Sequence, residues 1–213
     1  VCVLLDGLFV LVLQRRATTV MSTRALTAAF RSAARRARGA RGEYLIDIGT
    51  GTGLLAFAAM HLWPRAYATA SDIDPVSVEV TAENAAINGV PLGVMQGQLA
   101  LAAAAGLEHP LLTGRAPYDL VIANVLAGPL IELAPSISAV LGEGGTLILA
   151  GLLETQAERV ANAYRRHGLR LAGKTPMGDW PTLRLRKRTR YGWGRTTRPG
   201  PDGQGLAPGF GSW

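Results

Sequence analysis

Three glycines at alternate positions, set straight after a short apolar run, constrain this chain more than any other feature. The stretch from Tyr44 to Ala59 reads YLIDIGTGTGLLAFAA. YLIDI has the apolar character of a buried strand, with Asp47 near its close, and LLAFAAMHLW reads as a helix that stops before Pro64. The loop between them is Gly49-Thr50-Gly51-Thr52-Gly53. Glycine tolerates positive φ and lets a ligand approach the backbone. The helix that follows offers unpaired N–H groups and the positive end of its dipole, both suited to an anion. In an open α/β sheet, ligands lie beyond the carboxyl ends of the strands, which is where this loop would sit.

The rest of the chain continues the alternation. AYATASD reads as a strand, and PVSVEVTAENAAINGV as a helix with Pro75 near its start and an Asn88-Gly89 stop. LGVMQG reads as a short strand over 92–97. YDLVIANV is the most apolar strand, as expected at a sheet centre. PLIELAPSISAVL is helical with Pro135 interrupting, GTLILAG is a strand after the turn GEGG, and TQAERVANAYRRHG is an amphipathic helix ended by Gly168. LRLAGKT and PTLRLRK follow as two strands with no helix between them. The expected fold class is α/β: a doubly wound, mostly parallel seven-stranded sheet, Rossmann-like, with an antiparallel edge pair.

A length of 213 residues suits one domain. The expected organisation is an apolar segment and linker helix over 1–43, a main domain over 44–188, and a disordered basic tail over 189–213 rich in Gly, Pro and Arg. The first thirteen residues are apolar except for Asp6, short of the ~20 that a spanning helix needs. Cations follow that run, the reverse of a secretory signal, so a strand or buried edge is expected there and the cytoplasm is the expected compartment. VMSTRALTAAFRSAARRARGAR, over 20–41, reads as a helix with arginines massed toward its C-terminal end.

The net charge of +7 is unevenly spread. Residues 1–43 carry eight arginines against Asp6 and Glu43, and residues 184–213 carry seven cations against Asp202. The intervening body has seven cations against twelve acids. Such flanks suit phosphate contacts, so RNA contact is one reading of them and solvated ends the plainer one. A single cysteine, Cys2, excludes an internal disulfide framework, and His61, His109 and His167 show no ligand spacing, so no metal is expected.

Two templates compete for the glycine loop. Gly51, Gly53 and Ala56 formally match the G-x-G-x-x-A of dinucleotide binders. The other template is D-x-G-x-G-x-G, opened by Asp47. An aspartate there suits a cationic amino group and lies unfavourably close to a pyrophosphate, which favours an aminocarboxylate ligand. The next strand ends SDIDP, where Asp72 is placed to accept hydrogen bonds from ribose hydroxyls and Asp74 to cap the helix opened by Pro75. Asn124 closes the central strand, where its amide can donate and accept beside reacting atoms; a turn-forming role before Gly128-Pro129 is the alternative. Asp47, the glycines, Asp72 and Asn124 at successive strand ends together point to S-adenosylmethionine.

The segments IDIGTGTGLLAFAA, SDIDPVSVEVTAENAAINGV and DLVIANVLAGPLIELAP resemble the PrmA-type methyltransferases, which modify the eleventh protein of the large ribosomal subunit. GLLETQAERVANAYRRHGL and GDWPTLRLRK resemble the C-terminal part of the same family. The resemblance covers about 44–188 and implies a class I methyltransferase fold, S-adenosylmethionine as cofactor, and methylation of protein amino groups, mainly lysine. By matching motifs, Gly49, Asp72 and Asn124 fall on cofactor-contacting positions. The family's loop of the form F-G-T-G-x-H-x-T-T corresponds here to LVLQRRATT, which keeps Thr18 and Thr19 without the glycines and the histidine. Thr19 is the cofactor-contacting threonine by similarity. The family also carries an N-terminal recognition domain, for which 43 residues ahead of the first strand are too few; lost recognition or an incomplete copy is the expectation.

An activated methyl group needs mainly an amine aligned with it, and that amine must be neutral, although free lysine has a pKa near ~10.4. An apolar mouth would lower that value. No His or Glu is placed by the sequence as a general base, and Asn124 is the candidate for orienting the amine. The alternatives are a methyltransferase-like remnant or binding module, favoured by the altered loop, and a nicotinamide-dependent oxidoreductase, opposed by Asp47 and Asn124.

Overall fold

The computed structural model describes residues 2–5, 8–11 and 44–189. Within the apolar N-terminal run, β1 (Cys2–Leu5) and β2 (Leu8–Leu11) pair antiparallel, with Leu5 opposite Leu8. The run thus supplies two strands, not one; the intervening Asp6-Gly7 is a sequence signal for a tight hairpin. The expected helix over 20–41, Thr19 and the tail beyond 189 lie outside the described residues.

From Tyr44 the chain alternates as β3 (Tyr44–Ile48), α1 (Leu54–Leu62), β4 (Tyr67–Asp72), α2 (Pro75–Ile87), β5 (Leu99–Ala103), α3 (Pro110–Gly114) and β6 (Tyr118–Asn124). Then come α4 (Ala127–Glu132), α5 (Ala134–Val140), β7 (Leu141–Ala150), α6 (Ala157–Arg165), β8 (Leu169–Thr175) and β9 (Thr182–Lys187). The seven strands order as β5-β4-β3-β6-β7-β9-β8. β5, β4, β3, β6 and β7 run parallel, and β9 enters antiparallel to both of its neighbours. This is the doubly wound sheet with an antiparallel edge pair that the alternation implies.

Burial on both faces explains why the central strands read as unbroken apolar runs. Side chains alternate across the sheet, so Leu45, Leu120, Ile122 and Ile148 pack with α1 on one side. Ile46, Val121, Leu147 and Leu149 pack with α4, α5 and α6 on the other. Removing each such side chain from water contributes about 1.5–3 kcal/mol, an upper figure because the unfolded chain is already partly compact. α6 buries Ala157, Val160, Ala161 and Tyr164, the i, i+3, i+4, i+7 stripe of an amphipathic helix. The Tyr164 hydroxyl donates to the Leu130 carbonyl at 2.9 Å, binding α6 to α4.

Two expectations need correction. Leu92–Gly97 is not a strand: Val94 and Met95 are exposed in a loop, and the sheet's edge strand is β5. Its sequence, LALAA, is alanine-rich and has helical propensity, which pairing with β4 from Ala68↔Leu99 to Asp72↔Ala103 overrides. The buried Arg115 holds the loop against the sheet, donating to the Ala68 carbonyl, Thr69 Oγ1 and the Val94 carbonyl. The turn GEGG, in turn, lies inside β7. Tyr118 pairs with Leu141 and Leu120 with Thr146, so Gly142 to Gly145 form a bulge between those pairs.

Candidate functional site

The site follows from the sheet's connectivity. β4, β3 and β6 are neighbours and parallel, with Ile48 opposite both Ser71 and Ala123. Their carboxyl ends therefore bring Asp47, Asp72 and Asn124 together around the loop Gly49–Gly53. The structure unites the sequence-derived candidates Asp47, Gly49, Gly51, Asp72 and Asn124 at one edge; Thr19 falls outside the described residues.

The loop is tied down almost atom by atom. The amides of Gly49 and Thr50 both donate to the Ser71 carbonyl, at 2.8 and 3.0 Å, and Gly53 donates to the Thr50 carbonyl at 3.0 Å. Gly49, Gly51 and Gly53 all have positive φ, at 69°, 59° and 84°. At Gly49 a Cβ would meet Val125 Cγ1 at 2.4 Å, so only glycine lets β3 pass the end of β6. At Gly51 a Cβ would have no atom within 4 Å, so the backbone there borders open space.

Asp47 lies beneath this loop and is 1% exposed. Its Oδ2 accepts from Thr50 Oγ1 at 2.9 Å and from the Ala56 amide, in the first turn of α1, at 3.1 Å. Its Oδ1 is buried and has no partner among the described residues. Burial pushes its carboxyl up to about 7, against the pull of those two hydrogen bonds, and the nearby Asp72 raises it further. A carboxylate so placed favours a cation in its vicinity.

Asp72 is half-buried at the end of β4. Its Oδ2 accepts from the Gly51 amide at 2.9 Å and its Oδ1 from the Asp74 amide at 3.1 Å. Each oxygen keeps a further lone pair, so the carboxylate is oriented and still able to accept. Asp74 caps α2 by accepting from the Val76 amide at 3.0 Å, with Pro75 in the first turn, as the SDIDP motif implies. Ile73, 73% exposed beside Asp72, offers an apolar face that the motif reading passed over.

Asn124 is half-buried, and none of the described residues hydrogen-bonds to its side-chain amide. A Cβ on Gly151, at the end of the adjacent β7, would lie 3.0 Å from Asn124 Oδ1, so that glycine also permits a close approach. On the far side, the segment 176–181 after β8 reaches the same edge, where the Glu154 amide donates to the Asp179 carbonyl at 2.8 Å. Leu126, two residues past Asn124, and Leu153, two past Gly151, are exposed apolar side chains.

Sequence reasoning missed two polar residues of α2. Thr81 Oγ1 donates to the Gly51 carbonyl at 3.1 Å, and Asn84 Nδ2 to the Thr52 carbonyl at 2.9 Å. Both are fully buried. The available signal was their i, i+3 spacing beside Ala85 on one helix face, since buried polar side chains on such a face need partners. Among the described residues no three metal-ligating side chains cluster, and no helix is long and apolar enough to cross a membrane.

The family model described as ribosomal protein L11 methyltransferase (PrmA) matches residues 15–188. A protein named ribosomal protein L11 methyltransferase from Brucella abortus is 47% identical over 140 residues, 66% of this chain and 47% of that protein. Its namesake from a Caulobacter species is 43% identical over 143 residues, 67% of this chain and 47% of the relative. The matched region thus spans about half the length of these curated relatives. The crystal structure of a ribosomal protein L11 methylase from Lactobacillus delbrueckii subsp. bulgaricus superposes with a TM-score of 0.64 at 28% identity, covering 78% of this chain and 81% of the other. A precorrin-6y C5,15-methyltransferase from Geobacter metallireducens shares the fold at 16% identity, with a TM-score of 0.61.

Proposed function

This chain belongs to the ribosomal protein L11 methyltransferase (PrmA) family, and we propose from that premise that it is an S-adenosylmethionine-dependent protein N-methyltransferase. Its substrate on this reading is a ribosomal protein, modified on amino groups, mainly those of lysine, in the cytoplasm. The observation that carries the proposal is the arrangement of Asp47 and Asp72 around the glycine loop, with one buried oxygen of Asp47 left unpartnered.

The residues fit that cofactor. Asp72 accepts from ribose hydroxyls through its remaining lone pairs. Asp47 sets a negative charge under the loop for the ammonium of an amino acid, through a direct or water-bridged contact. Ile73 gives an apolar surface for a base, and the open backbone at Gly51 admits a ligand close to the main chain. Bound there, S-adenosylmethionine supplies a methyl group already activated on a sulfonium. The chain's own task is alignment of the acceptor. The side-chain carbonyl of Asn124 orients an incoming amine, and Leu126 and Leu153 line an apolar approach that keeps the amine neutral. Among the described residues at this edge, none is placed as a general base, so on this reading the amine enters unprotonated.

The test is direct. The purified chain is incubated with isotopically labelled S-adenosylmethionine and ribosomal protein L11, and the product is read by mass spectrometry. Label on lysine or the terminal amine supports the reading. A chain that binds the cofactor yet labels neither L11 nor any other ribosomal protein contradicts it.

A further inference from the structure

We propose that Thr81 and Asn84 are positioning residues for the cofactor, clamping the glycine loop from α2 so that it is ordered before a ligand arrives; this rests on reading that loop as the S-adenosylmethionine site. The two side chains are 0% exposed, and each reaches a loop carbonyl distant in the chain, with sequence separations of 30 and 32. A buried hydroxyl or amide is unfavourable unless bonded. They are two of the three buried residues of α2, with Ala85 the third, so most of the face that α2 turns inward is polar and its side-chain bonds go to the loop.

The bonds they make act on a specific peptide. The Gly51 amide is held by Asp72 and the Gly51 carbonyl by Thr81, so the residue is fixed on both sides. In a trans peptide the carbonyl and the following N–H point oppositely. Drawing the Gly51 carbonyl toward α2 therefore turns the Thr52 N–H away from α2. Asn84 does the same to the next unit, and the Gly53 N–H it turns away finds the Thr50 carbonyl. Glycine-rich backbone loses more conformational entropy on ordering than other backbone. A clamp built into the fold removes that loss from the binding step, which raises affinity without touching the ligand. The clamp is itself anchored at the end of α2, where Asn88 Nδ2 donates to the Asn84 carbonyl at 2.8 Å.

Thr81 offers a clean separation of roles. Thr81→Val keeps the shape and removes the donor; Thr81→Ser keeps the donor and removes a methyl group. Calorimetric titration of the full chain with S-adenosylmethionine and with S-adenosylhomocysteine, alongside thermal unfolding without ligand, distinguishes them. The expected result is about fivefold to tenfold weaker binding of both ligands by Thr81→Val and by Asn84→Leu, with Thr81→Ser binding nearly as the parent does. Should Thr81→Val fail to fold, Thr81→Ala takes its place against Thr81→Ser. Affinity that follows melting temperature, or equal affinity in the Val and Ser variants, overturns the clamp while leaving the cofactor reading intact. A parent chain that binds neither ligand overturns both.

Discussion

Asp47 and Asp72 stand near the carboxyl ends of adjacent strands, with Asp72 two residues further along the register, and their surroundings assign them different work. Asp72 is half in solvent and accepts from two amides, so its carboxylate is oriented and keeps lone pairs for hydroxyl donors. Asp72→Ala should weaken S-adenosylmethionine binding by about tenfold or more in calorimetry, because the ribose loses a charged acceptor and the Gly51 amide its partner. Asp47 is buried, and its carboxyl titrates near 7 instead of 3.8. A raised folded-state value means that the native chain holds the proton more tightly than the unfolded chain. Its contribution to stability is thus present below about 4 and is lost as pH rises through about 7. The thermal midpoint of the parent chain should therefore fall relative to that of Asp47→Asn between pH 4 and 7. Cofactor affinity should move the opposite way, strengthening as Asp47 ionises, and that slope should vanish in Asp47→Asn. The motif alone singled out both aspartates as candidate binding residues. It did not reveal that Asp47 first serves as the loop's internal support, because the partner amide, on Ala56, becomes adjacent only when α1 folds back over the strand.

The elements legible in the sequence were those whose local and global preferences agree. β3, β4 and β6 are apolar strands flanked by turn signals, and α2 carries its own start in Asp74-Pro75 and its own stop in Asn88-Gly89. β5 was not legible, since LALAA obtains its conformation from β4. Packing makes quantitative demands on these elements. Leu120, in the middle of β6 and 1% exposed, touches the core on the α1 side, so Leu120→Ala should cost about 3 kcal/mol in urea unfolding. Removing the Tyr164 hydroxyl breaks the single side-chain link from α6 to the Leu130 carbonyl, and Tyr164→Phe should cost about 1 kcal/mol in the same measurement. Lys187 plays a comparable part for α5. Its ammonium, pushed down in pKa by burial, donates to the Ser138 and Leu141 carbonyls at the C-terminal end of that helix, at 2.5 and 2.7 Å.

At the scale of the molecule, the sheet is what turns scattered motifs into a site. Asp47, Asp72 and Asn124 are separated by dozens of residues in the chain, and the order β4-β3-β6 gathers them at one edge. The antiparallel β9 between β7 and β8 completes the sheet and delivers the segment 176–181 to the same edge, opposite the acidic end. Everything placed there suits an adenosine-bearing aminocarboxylate better than a dinucleotide, because a buried carboxylate under the loop repels a pyrophosphate and attracts an ammonium. The deciding measurement is a calorimetric titration of the full chain with S-adenosylmethionine, run beside one with NADH. The structure predicts saturable binding of the first in the range of about micromolar and no heat from the second. Binding of NADH, or silence toward S-adenosylmethionine, would contradict the assignment of this loop.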